Sequence, residues 1–156
     1  MNQSERRRYL IQELLNEQKE YCNYSIPEDP QGQKDLLRGL LNVRAPKILS
    51  REFLKIQDEY LKEETEKKGI TELADLTPVE QGIYLWQGDI TTLHCDAIVN
   101  AANSGMTGCY APNHKCIDNC IHTFAGAQLR YECAQMMKAQ GHEEPTGQAK
   151  ITAAYN

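Results

Sequence analysis

Fifteen residues from Gly108 to His122, GCYAPNHKCIDNCIH, hold three cysteines and two histidines. Thiolate and imidazole donors together favour zinc. Cys109, His114 and Cys116 are the candidate ligands. His114 and Cys116 are two apart, so a helix would point them in different directions. A loop shaped by Pro112 lets them converge. Two Cys and one His leave a tetrahedral zinc one open position, the pattern of catalytic rather than structural sites. The spacing fits no standard zinc finger, and small buried thiols with a loop histidine remain the other reading. Cys120 is a rival fourth ligand, although its place on a helix after Asn119 suits a small buried thiol. Cys22, Cys95 and Cys133 read as core residues.

Two polar stretches precede this loop in sequence. Gly88-Asp89-Ile90-Thr91 follows a short β-type run, GIYLW (82–86), and offers a carboxylate beside free backbone amides. Asp89 as an N-cap is one meaning and a ligand contact is the other. VNAANS ends in Asn100 and Asn103, which suit turns but also supply the paired donors and acceptors that ribose hydroxyls need.

The elements that must position these groups change character near residue 80. Before it the chain is helical and charged. Leu10, Ile11, Leu14 and Leu15 form one stripe within residues 4–18. Asp29-Pro30-Gln31-Gly32 reads as a turn, followed by a helix from Lys34 to Asn42 that must stop near Ala45, ahead of Pro46. Ser50 caps a third helix carrying Phe53, Leu54, Ile56, Tyr60 and Leu61, and Gly69 closes it. Nothing in these helices suggests catalysis. After residue 80, DAIVNAA (96–102) is apolar without alternation, as in a strand covered on both faces. Ile117, Ile121 and Phe124, then Leu129, Cys133 and Met136 after a break at Gly126, mark helix, with Gly141 closing it. AKITAA (149–154) reads as a further strand. Strand, loop, helix, strand predicts an α/β unit with parallel pairing. In such sheets the ligand lies beyond the carboxyl ends of strands, where the loop from Asn103 to Lys115 falls.

Taken together, GDIT, DAIVNAANS and CIDNCIHTFAGAQLR resemble the macrodomain family, which binds ADP-ribose. GCYAPNHKCIDN with EPTGQAKIT is similar to its zinc-dependent branch, whose members are protein–ADP-ribose hydrolases. The resemblance implies a three-layer α/β/α mixed sheet over residues 79–156, preceded by a helical extension over 1–78. It implies zinc on Cys109, His114 and Cys116. It matches Asp89 to the acid that receives the adenine amino group, Ile90 to the backbone beside it, and Asn103 to the amide on the distal ribose. Asn100 supports the loop. Asp118 falls where other macrodomains carry an acid at a helix start, and a plain helix-start carboxylate is the alternative. The family continues through further strands and a second Gly-rich phosphate loop that these 156 residues lack, so the chain is expected to be the N-terminal part of a longer protein with an incomplete domain.

The implied activity is removal of mono-ADP-ribose from protein side chains, with acidic residues on a lipoyl-carrier protein as a substrate and a sirtuin-like transferase as the opposing enzyme. A reader that binds ADP-ribose without cleaving it, and an interaction module with structural zinc completed by Cys120, are the rivals. A net charge of −5 argues against a broad grip on nucleic acid. No apolar run approaches the ~20 residues of a membrane span. Six cysteines without an export signal point to the cytoplasm.

Overall fold

The apolar spacing of the first half becomes three helices in the computed structural model, which describes residues 1–21 and 23–156. Helix α1 (Gln3–Asn16) opens with a reciprocal cap. Asn2 Oδ1 accepts from Glu5 N at 3.0 Å, and Glu5 Oε2 accepts from Asn2 N at 2.8 Å. Helix α2 spans Pro30–Val43, so DPQG is not a free turn. Asp29 Oδ1 accepts from Gly32 N at 2.7 Å, and Pro30 occupies the first helical position, where its missing N–H costs nothing. In α3 (Arg51–Lys68) Ser50 Oγ accepts from Phe53 N at 3.1 Å, and Gly69 ends the helix at φ +89°.

These helices close one core. Leu10, Ile11, Leu14 and Leu15 of α1 meet Leu37 and Leu40 of α2, with Phe53, Ile56, Tyr60 and Leu61 of α3. Each such side chain taken from water stabilises by about 1.5–3 kcal/mol. The ion pairs around it, Arg6 with Glu59 and Glu63 and Lys34 with Glu64, are partly exposed and screened by solvent, so they add little. Burial holds this half together.

The second half is α/β with a small sheet content. Strand β1 (Thr71–Glu72) runs parallel to β4 (Leu93–His94), while β2 (Pro78–Glu80) pairs antiparallel with β3 (Ile83–Tyr84). Helix α4 (Ile117–Ala125) breaks at Gly126 and continues as α5 (Ala127–Gln140), which Gly141 closes in the left-handed region. Ile121, Ala125, Leu129 and Cys133 form a second cluster, with Ile90 and Met136 against it. Helix α4 also packs on α2 and α3.

Three strand expectations are corrected. Only Ile83–Tyr84 of GIYLW is a strand, and neither 96–102 nor 149–154 is one. A strand exists only through its ladder, and among the described residues no ladder reaches these two segments. They line a groove of about 960 Å³ whose wall also includes Ile121, Phe124, Leu129 and Cys133. Val99 and Ile151 are 89% and 92% exposed instead of covered. Parallel pairing does occur, between residues 71–72 and 93–94. Cys95, expected in the core, is exposed; Cys133 is buried; Cys22 lies outside the described residues. No helix among the described residues is long and apolar enough to cross a membrane.

Candidate functional site

The loop between residue 103 and α4 is built on its own side chains. Asn103 Oδ1 accepts from Gly105 N at 3.0 Å, its backbone oxygen accepts from Met106 N at 2.9 Å, and its Nδ2 donates to Gly108 O at 3.2 Å. Gly108 sits at φ +84°, and a Cβ there would lie 2.7 Å from the His122 ring. Glycine is required there for both reasons. Asn113 adopts φ +56° after Pro112 and turns the chain so that His114 faces back.

The three candidate ligands converge. One donor atom each from Cys109, His114 and Cys116 lies within 4.8 Å of the other two, with Cys109 Sγ 3.7 Å from His114 Nδ1. Two soft sulfurs and an imidazole, half-buried and exposed respectively, fit zinc by donor chemistry. Partial burial, the adjacent Cys109 thiol and Asp118 raise the Cys116 pKa, outweighing the hydrogen bond from Asn119 N. Binding a metal there must therefore release protons. Cys120 lies outside this cluster. Its sulfur accepts from Arg38 Nη2 at 3.4 Å.

Asp118 is buried on the inner side of α4. One carboxylate oxygen accepts from Asn100 Nδ2 at 2.8 Å and the other from Asn103 Nδ2 at 3.4 Å. It therefore links the two asparagines that end the VNAANS stretch. His122 Nε2 stands 3.6 Å from the same carboxylate. Burial pushes the His122 pKa down to about 4, against the pull of Asp118, so the imidazole is neutral at pH 7 and this contact is no ion pair.

Asp89 lies apart from the loop. It caps a short 3-10 turn (Ile90–Thr92), accepting from Thr91 N at 3.0 Å and Thr91 Oγ1 at 2.6 Å. Lys68 at the end of α3 reaches its other oxygen at 3.0 Å. Partial burial raises its pKa, but the bonds from Thr91 and Lys68 prevail and hold the carboxyl below its ordinary value. Ile90 and Asn103 line the same groove, whereas Asp89 is not among its lining residues.

Four contributors have no mark in the local sequence. Asn119, fully buried, donates to Ala111 O at 3.1 Å and Cys109 O at 3.4 Å. Arg130 of α5 donates to Thr107 O at 2.8 Å and Cys109 O at 3.3 Å. Arg38 and Asn42 reach the loop from α2. All four act through backbone oxygens or amides, and the sequence positions of those partners could not be read ahead of the fold.

An α/β unit with a Cys-His-Cys group that could hold a metal, in a loop whose Asn103 lines a groove, is a candidate small-molecule site. The sequence agrees: residues 99–156 match the Macro domain family model. It is 61% identical over 160 residues to a protein from Treponema medium named Protein-ADP-ribose hydrolase, covering all of this chain and 61% of that protein. A Staphylococcus aureus (strain MRSA252) protein of the same name is 46% identical over 149 residues, covering 95% of this chain and 56% of its own length. A Fusarium oxysporum f. sp. cubense protein, named a probable bifunctional ADP-ribose hydrolase/ADP-ribosyltransferase, is 42% identical over 131 residues and 22% covered. The chain thus spans 61% and 56% of the two hydrolases' lengths.

Proposed function

We propose that this chain carries the ribose- and metal-binding part of an enzyme that hydrolyses mono-ADP-ribose from protein side chains. The convergence of Cys109, His114 and Cys116 next to the Asn103–Asp118 pair is the observation that carries this reading. The names of the two bacterial relatives support it. Acidic side chains, such as one on a lipoyl-carrier protein modified by a sirtuin-like transferase, are the proposed substrates, and the cytoplasm is the proposed compartment.

The glycosidic carbon gains positive charge as its bond breaks, so placing the distal ribose matters most. When bound to the trio, zinc supplies Lewis acidity at that ribose. Asn103 orients the sugar. Asp118 accepts from the Asn103 amide and keeps it from rotating, and Asn100 braces the other carboxylate oxygen. Asp89 receives the adenine amino group, beside the backbone of Ile90, at the far end of the ligand.

The test measures release of ADP-ribose from a modified carrier protein, and ADP-ribose affinity by calorimetry, before and after chelation. Release that stops on chelation and returns with zinc is expected. Release that survives complete zinc removal would defeat the metal's part in it. Tight binding without release in the zinc-loaded protein would assign a reader.

A further inference from the structure

Helix α2 reaches into the metal loop at the residues flanking one ligand. Asn42 is 1% exposed and uses both ends of its amide. Its Oδ1 accepts from Asn113 N at 3.0 Å, and its Nδ2 donates to Thr123 Oγ1 at 2.9 Å on α4. Thr123 Oγ1 in turn donates to Asn119 O at 2.7 Å, which ties the same network to the start of α4. Asn113 is the residue at φ +56°, a strained value for a side-chain-bearing residue, immediately before His114. One helical turn earlier, Arg38 Nη2 donates to His114 O at 2.8 Å and to Asn119 Oδ1 at 3.0 Å. The N–H of the residue before the histidine ligand and the histidine's own carbonyl are thus both fastened to α2. The loop lies close on the helix between these points: a Cβ at Gly39 would stand 3.5 Å from Asn113 Nδ2.

A ligand loop binds metal more tightly when its donors are already placed, because ordering it on binding costs affinity. From this geometry we infer that Arg38 and Asn42 are positioning residues for His114, so that α2 is a working part of the metal site. The inference rests on the reading of Cys109, His114 and Cys116 as metal ligands. It assigns a role to a helix that the sequence presents only as packing.

The test uses zinc affinity, measured by competition with a chromophoric chelator, in a Cys120→Ser background so that a freed thiol cannot compensate. Arg38→Gln and Asn42→Ala should each weaken zinc roughly 10–100-fold, the range for partners that orient metal ligands. Arg38→Lys should restore part of the loss. The visible spectrum of the cobalt-loaded chain should change in Arg38→Gln as the His114 imidazole shifts. The melting midpoint of metal-free Arg38→Gln should stay at that of its parent, since Arg38 is only half-buried. Parental zinc affinity and cobalt spectrum in Arg38→Gln would overturn the inference. So would a fall in affinity matched by a fall in metal-free melting and not rescued by lysine, which would make α2 a packing element. A parent chain that takes up no zinc would overturn the metal reading itself. These outcomes are distinguishable even if Asn42→Ala fails to fold.

Discussion

The apolar residues of the α1–α3 bundle and those of the segments around the groove end in opposite states. In the bundle Leu10, Ile11 and Phe53 are at most 1% exposed. Beside the groove Val99 and Ile151 remain almost fully exposed. A helix satisfies its own backbone and needs only a neighbour for one face, so three amphipathic helices can close a core among themselves. An apolar extended segment must first satisfy its backbone through another strand, and burial follows pairing. The lesson is that helical patterns complete themselves locally while strand patterns depend on distant chain.

The sharpest way to break this contrast is at Phe53. Phe53→Ala should cost about 3–5 kcal/mol, read from urea denaturation, because the cavity sits in the closed core. A cost below about 1 kcal/mol would show that the bundle is not the stabilising half. Next in size is the loop: Cys116→Ala should weaken zinc by more than ~100-fold, beyond the effect of losing an orienting partner, while Cys120→Ala leaves binding in place. Metal content by atomic emission checks both. Because the Cys116 thiol is raised, zinc affinity should also fall steadily as pH falls below neutral.

Asp89→Ala should reduce ADP-ribose affinity by about 1.5–3 kcal/mol, as for a lost charge-assisted hydrogen bond, without touching zinc. Unchanged affinity in calorimetry would remove Asp89 from the ligand site. The buried His122 gives a pH effect of known sign. The unfolded chain takes up a proton near 6.5, which the folded chain refuses until about 4. Stability present above pH 6.5 should therefore drain away between 6.5 and about 4, and His122→Gln should flatten that part of the curve. The smallest effect belongs to the groove. Ile151→Ala and Val99→Ala should stay within about 0.5 kcal/mol, since there is little burial to lose.

Helix boundaries were legible where caps and periodicity agree. Ser50, Gly69, Gly126 and Gly141 fall where expected. The start of α2 was not, because Asp-Pro-Gln-Gly serves equally as a turn or as a cap with a first helical turn, and only the Asp29–Gly32 bond distinguishes them. The convergence of Cys109, His114 and Cys116 was legible because they are close in sequence and chemically conspicuous. Asn100 was expected to brace the loop and does so through Asp118. Arg38, Asn42 and Arg130 were not legible. Asn42 and Arg38 reach residues 71 and 76 positions away and Arg130 residues 23 and 21 positions away, and an arginine or asparagine on an amphipathic helix looks the same whether it meets water or a carbonyl.

Lys68 gives the Asp89 corner a property of its own. The ammonium is held at Asp89 Oδ2 and rests 3.1 Å above the Phe124 ring, so the carboxylate is already occupied before any ligand arrives. An incoming amino group would have to share the carboxylate with that ammonium or displace it into water. An exposed ion pair weakens with added salt, so the resident competitor should leave more readily as ionic strength rises. The Lys68–Asp89 pair is thus a contact whose strength is set by the solution, and any ligand amino group that reaches Asp89 would meet it first.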